Sequence, residues 1–216
     1  MVKARIIDSS ENNNRNDTEF WLLRHGKSPH NKPDEIATFA GGRVDNPLSN
    51  EGRSETSVLA EKIAENNEID LIITSHMKRS KETGGIIATF FKELKGKKIP
   101  VVEIDNLQEV DVGDFTNLTE KQARDKDPQA ANAFYSGEIE CWDFPRGENY
   151  QDLVGRVKSV INQIRTIAIG KKRVLVIGHG MFNRAFNHQL FNDRTDLWKP
   201  RSYPHDQIVI FTLGEK

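Results

Sequence analysis

Apolar residues in this chain fall into short unbroken runs, separated by longer stretches in which they recur every three or four positions. The runs are Phe20-Trp21-Leu22-Leu23, Leu71-Ile72-Ile73, Val101-Val102, Val174-Leu175-Val176-Ile177 and Ile208-Val209-Ile210-Phe211. Continuous rather than alternating apolarity predicts strands covered on both faces, the habit of parallel sheets. Between the runs, Thr56, Leu59, Ala60 and Ile63 share one helical face that Ser49 or Asn50 can cap. Thr83, Ile87, Phe90, Phe91 and Leu94 form a second stripe, and Leu153, Val157, Ile161, Ile164 and Ala168 a third. This alternation predicts an α/β fold: a single three-layer α/β/α domain, its central sheet mainly parallel, with helices on both faces. The stretch 118–140 reads as helical but irregular, an insertion over one end of the sheet.

The beginning of the chain has a different texture. Residues 8–18 run Asp-Ser-Ser-Glu-Asn-Asn-Asn-Arg-Asn-Asp-Thr, with little to bury, and the pair Ile6-Ile7 is too short to signal a strand. The expected division is a polar, flexible tail over 1–18 and one domain over 19–216. Near the other end, Trp198, Tyr203 and the last apolar run could serve a homodimer interface or only the core.

Composition narrows the chemistry. A chain of 216 residues is long enough for one sizeable core, and 36% hydrophobic with 29% charged residues suits a polar globular protein. The formal net charge of −1 provides no global field for nucleic acid or an anionic membrane, so anion binding needs a local cluster of positive groups. Cys141 is the only cysteine, which excludes an intrachain disulfide and a cysteine-rich zinc site. No secretory or transmembrane pattern is seen, and the expected location is cytoplasmic.

In open α/β sheets ligands bind beyond the carboxyl ends of the strands. Those ends read Arg24-His25-Gly26, then Thr74-Ser75-His76-Met77-Lys78-Arg79, then Gly178-His179-Gly180. Two histidines and two arginines gather there if the strands are neighbours. Arginine forks match phosphate oxygens, a neutral imidazole can attack phosphorus, and helix N-termini after Gly180 and around Met77 would add oriented N–H groups.

At this point the sequence resembles the histidine phosphatase superfamily, in the branch of cofactor-dependent phosphoglycerate mutases and their phosphatase relatives. The resemblance rests on six blocks in order: Leu23-Arg24-His25-Gly26-Lys27-Ser28 with Asn31; Gly42 to Ser49 with Gly52; Ser75 to Ser80 with Thr83; Leu107-Gln108-Glu109 with Gly113 and Phe115; Pro145-Arg146-Gly147-Glu148; and Gly178-His179-Gly180. It implies that His25 is the nucleophile and becomes phosphohistidine. Arg24, Arg79 and His179 would bind the phosphoryl oxygens, and Glu109 would protonate the leaving alkoxide and then activate water. Ser28, Asn31 and Gly180 are candidate phosphate contacts, no metal or other cofactor is implied, and one strand is expected to be antiparallel.

Four positions depart from the family's habit: Lys27 for an acidic residue, Phe115 for tryptophan, Asn117 for glycine and Asn149 for serine. Glu148 is read as a cap for the helix beginning near Tyr150. His30, His76, His188 and His205 are read as surface or loop residues, with His76 a candidate for the pocket wall, and Lys121, Arg124 and Lys126 as a solvated helix face. The expected reaction is phosphomonoester hydrolysis on a small phosphorylated metabolite. A mutase of the same family is one rival, but only 36 positions separate Glu109 from Pro145, fewer than the insertion expected of mutases. A non-catalytic phosphate-binding module is the other, and it has no need of both nucleophile and acid.

Overall fold

A computed structural model describes residues 3–6, 18–31, 38–136, 138–191 and 204–213. Each of the five apolar runs is a strand: β2 (Glu19–Arg24), β3 (Leu71–Thr74), β4 (Val101–Glu103), β5 (Arg173–Gly178) and β6 (Gln207–Thr212). A further strand, β1 (Lys3–Ile6), lies within the stretch expected to be a tail, and it adds to the sheet by pairing in parallel with β6. Residues 7–17 of that stretch, and Trp198 and Tyr203, lie outside the described residues.

The sheet order is β1-β6-β2-β5-β3-β4. β2, β5, β3 and β4 are mutually parallel, whereas β6 runs antiparallel to β2. Because β1 follows the direction of β6, two of the six described strands oppose the other four. The antiparallel strand has a consequence for function: it brings the start of β6 beside the end of β2.

The helices are α1 (Asn50–Asn66), α2 (Lys78–Lys95), α3 (Glu120–Lys126), α4 (Pro128–Tyr135), α5 (Tyr150–Ile167) and α6 (Gly180–Phe191). Successive strand residues point to opposite faces, and both faces are covered. Phe20 and Leu22 pack with Leu153, Val157, Phe182 and Phe186 of α5 and α6. Trp21 and Leu23 pack instead with Ala60, Ile63, Ile87 and Phe91 of α1 and α2. Each fully buried aliphatic side chain of this kind contributes about 1.5–3 kcal/mol. Of the second predicted stripe, Leu94 is the exception: it sits in the last turn of α2 and faces solvent.

Caps explain where the helices start. The Ser49 side chain accepts from the Gly52 amide to open α1, and Thr119 and Gln122 make a reciprocal capping box at α3. α5 is capped by Asn149, which accepts from the Asp152 amide; Glu148, expected there, has another partner described below. Asn149 therefore does the work of the serine usual at its position. The predicted insertion forms α3 and α4, whose residues Phe134 and Tyr135 pack with Phe39, Phe115, Trp142 and Phe144 in an aromatic cluster. Asn117 has φ of 64°, the left-handed region, which accounts for the glycine usual there. On α3 the cations are locally paired, exposed Lys121 with Asp125, partly buried Arg124 with Glu120 and exposed Lys126 with Asp114.

Candidate active site

Strand register assembles the site. Arg24 at the end of β2 is level with Gly178 of β5, and Thr74 of β3 is level with Ile177. The segments Arg24-His25, Ser75-to-Arg79 and Gly178-His179 therefore leave three adjacent strands side by side, as the sequence reading required. The His25 amide donates to the Gly178 carbonyl at 3.1 Å, which continues the ladder one residue past β2.

His25 is buried, and its hydrogen bonds define its tautomer. Nδ1 lies 2.7 Å from the Gly26 carbonyl, an acceptor, so Nδ1 carries the proton. Nε2 then bears a lone pair, and it accepts from Arg79 Nε at 3.2 Å. Burial first, and then the His179 ring and the guanidinium groups of Arg79 and Arg24, hold its pKa well below the ordinary histidine value of 6.5. The ring is thus neutral, as a nucleophile must be.

Arg79 is almost fully buried. Besides His25 it donates through Nη1 to the Val44 carbonyl at 2.7 Å and through Nη2 to the Gly41 carbonyl at 3.2 Å. The Val44 bond ties the second sequence block to the site, and with the carbonyl of Gly41 just before that block it orients the fork. Arg24 is partly buried and lies across Gly180, where a β-carbon would stand 3.3 Å from the guanidinium carbon.

His179 is tilted against His25 with ring centres 5.0 Å apart. Its Nε2 is 2.7 Å from Ser75 Oγ, an oxygen that also accepts from the Met77 amide at 3.3 Å. Its Nδ1 is buried and has no partner among the described residues. Burial, then Arg79 and Arg24, lower the pKa of this histidine too.

Glu109 lies on a loop but is anchored by α6. One oxygen accepts from the amides of Val110 and Phe182, each at 3.0 Å, and the other from Met181 at 3.2 Å. A carboxylate at a helix N-terminus is well placed electrostatically. This arrangement corrects one expectation, because the Met181 and Phe182 amides serve Glu109 and not a phosphate. At α2 likewise, the Met77 amide goes to Ser75 and that of Lys78 to Asp45 at 2.7 Å. Anion binding therefore falls mainly to side chains.

Ser28 and Asn31 bind each other: the Ser28 hydroxyl and amide both donate to Asn31 Oδ1, at 2.9 and 3.2 Å, closing a tight turn. Lys27 is held by Glu51 and Glu55 of α1, which explains how a cation replaces the acidic residue usual there. Of the four remaining histidines, only His76 is an exposed residue, beside Asp105. His205 comes from the loop before β6, donates through Nδ1 to the His25 carbonyl at 2.5 Å, and meets the His25 ring edge-on at 5.6 Å. His30 contacts Ser28 Oγ at 3.2 Å. Burial, then nearby arginines, push both down to about 3, Arg24 acting on His205 and Arg79 with Arg24 on His30. His188 is buried in α6 against the Tyr150 hydroxyl at 2.8 Å. Sequence reasoning missed His205 because only the antiparallel course of β6 brings it to His25. Among the described residues, no three His, Cys, Asp or Glu side chains converge as metal ligands, and no helix is long and apolar enough to cross a membrane.

Known proteins resemble this chain in sequence and in fold. A metal-independent phosphoserine phosphatase of Arabidopsis thaliana is 29% identical over 170 residues, 78% of this chain and 66% of that protein. The human 6-phosphofructo-2-kinase/fructose-2,6-bisphosphatase 3 is 30% identical over 179 residues, 82% of this chain but 30% of that protein. The chain thus spans less than two thirds of either relative. Among solved structures, Bacillus stearothermophilus YhfR superposes with a TM-score of 0.75 at 26% identity, covering 89% of this chain and 90% of that one. The sequence profile of the histidine phosphatase superfamily (branch 1) matches residues 20–215. A match that runs from the first core strand to beyond the last means that this chain belongs to the histidine phosphatase superfamily, in its branch 1.

Proposed function

We propose that this chain hydrolyses a phosphomonoester through a phosphohistidine on His25. The observation that carries the reading is the orientation of His25: its Nδ1–H is committed to the Gly26 carbonyl, so the Nε2 lone pair faces the buried Arg79 fork. Nε2 attacks phosphorus in line, the bond from phosphorus to the ester oxygen breaks, and protonated Glu109 gives its proton to the departing alkoxide. Arg24, Arg79 and His179 stabilise the phosphoryl oxygens. Glu109, now a carboxylate, takes a proton from water as the water oxygen attacks phosphorus, and the N–P bond breaks to release phosphate and restore neutral His25. Ser28, Asn31 and Gly180 border the phosphoryl group in this reading.

The substrate class we propose is a small phosphorylated metabolite in the cytoplasm. Hydrolysis is preferred over transfer to a second hydroxyl because the segment between Glu109 and Pro145 is short, leaving the phosphoenzyme open to water. The test is phosphate release from a panel of phosphomonoesters with EDTA present, wild type against His25→Ala. Turnover that EDTA does not inhibit and that the substitution abolishes supports the reading. Activity that survives in His25→Ala, or no turnover on any ester, overturns it.

A further inference from the structure

Glu109 belongs to no helix or strand, yet proton transfer needs its carboxyl placed to within a fraction of an ångström. The amides of α6 hold its two oxygens, but something must also hold the loop against α6. Arg156, in the second turn of α5, meets that need. Its Nε and Nη2 form a two-pronged pair with Glu148, both bonds 2.8 Å, and its Nη1 donates to the carbonyls of Asn106 at 2.8 Å and Gln108 at 2.7 Å. Gln108 immediately precedes the acid.

Glu148 completes the grip on the other side. Its amide donates to the Asp111 carbonyl at 2.8 Å, and its Oε2 accepts from the Asp111 amide at 3.3 Å. The Arg156 guanidinium also lies over the ring of Phe182, 5.0 Å from its centre, and the Phe182 amide is one of the donors to Glu109. Arg156 thus touches the chain before the acid, the chain after it through Glu148, and the helix turn that binds it. The close approach of the two backbones is built in: a β-carbon on Gly147 would stand 2.5 Å from the Asp111 carbonyl oxygen. Both charged side chains are mostly buried, 11% and 12% exposed, and four of the five N–H donors of Arg156 are committed within the protein.

We propose that Arg156 and Glu148 form a buried clamp that sets the position of Glu109, so that Arg156 is a positioning residue for proton transfer to the leaving group. The proposal rests on the phosphohydrolase reading above, in which Glu109 supplies that proton. It also gives the Pro145-Arg146-Gly147-Glu148 block a task in the reaction.

The test separates positioning from general damage by the leaving group. An aryl ester such as p-nitrophenyl phosphate departs without a proton, whereas an alkyl phosphate requires one. The quantity to compare is kcat/KM, which ends at phosphoryl transfer to His25 and so excludes the later water step. Arg156→Lys keeps the charge but not the fork, and Glu148→Gln keeps the shape but not the charge. Each lowers kcat/KM for the alkyl ester by about tenfold or more while the aryl ester stays within about threefold. Glu109→Gln is the reference and shows the same selectivity. An equal fall on both esters, or an unchanged alkyl rate, overturns the clamp when Glu109→Gln itself discriminates. If Glu109→Gln does not discriminate, the acid assignment fails and the clamp fails with it. Should Arg156→Lys not fold, Glu148→Gln carries the comparison.

Discussion

Replacing Gly180 by alanine should move activity and stability in opposite directions. The added methyl would stand 3.3 Å from Arg24 Cζ and 3.4 Å from its Nε and Nη2. Ordinary contacts with carbon settle at about 3.5–4.0 Å, so the guanidinium must retreat by roughly 0.3 Å. Charge-assisted N–H···O bonds have a narrow optimum, and deleting one whole donor to a transition-state oxyanion costs about 10²–10³ in rate. A partial displacement should take about 1–2 kcal/mol of that, or roughly 5- to 30-fold in kcat/KM. Stability responds otherwise. Gly180 is helical and is not among the glycines with positive φ, so alanine adopts its backbone without strain. Gly-to-Ala exchange at such a site stabilises by up to about 1 kcal/mol. Phosphate-release kinetics and urea unfolding, run on the same preparation, read the two effects. Activity within twofold of wild type refutes the proposed contact between Gly180 and a working Arg24. Activity and stability falling together refute the packing argument.

Two further outcomes follow from the buried charges. Arg79→Met leaves the Gly41 and Val44 carbonyls without their donor, which should cost roughly 2–4 kcal/mol of stability and about 10²–10³ in kcat/KM; Arg79→Lys should recover less than tenfold, and full recovery would show that charge alone suffices. The second outcome is a stability that falls with acid earlier than carboxylates alone would make it. His25 and His179 are held well below 6.5, and His30 and His205 at about 3, so the folded chain binds fewer protons than the unfolded one once pH drops below about 6.5. Their contribution is complete above that value and declines as pH falls, that of His30 and His205 down to about 3, each histidine by up to about 1.4 kcal/mol per pH unit. Urea midpoints that stay flat from pH 7 to 5 would contradict the neutral, buried state assigned to these rings.

Much of this architecture was legible because burial on both faces of a parallel sheet leaves unbroken apolar runs, and each run became a strand. The candidate site residues were legible for a related reason: Arg24 ends β2, His25 and His179 directly follow β2 and β5, and Arg79 stands in the first turn of the helix that follows β3, on strands that the register sets side by side. β1 was not legible, since a four-residue edge strand needs backbone pairing more than apolar side chains. His205 was hidden by distance along the chain, its place beside His25 depending on the direction of β6. Glu148 was misread as a cap because an acidic residue just before a helix is usually one. Its actual partner, eight residues on, faces it only because α5 packs against the loop that carries Glu109.

The most direct measurement of the central claim is to trap the covalent enzyme. Mixing the protein with a phosphate-labelled ester and quenching in alkali, where a phosphorus–nitrogen bond survives, should leave label on the peptide containing His25. The label should be lost in acid and absent from His25→Ala. Turnover by the wild type without any trapped label, or label that persists in His25→Ala, would contradict the account.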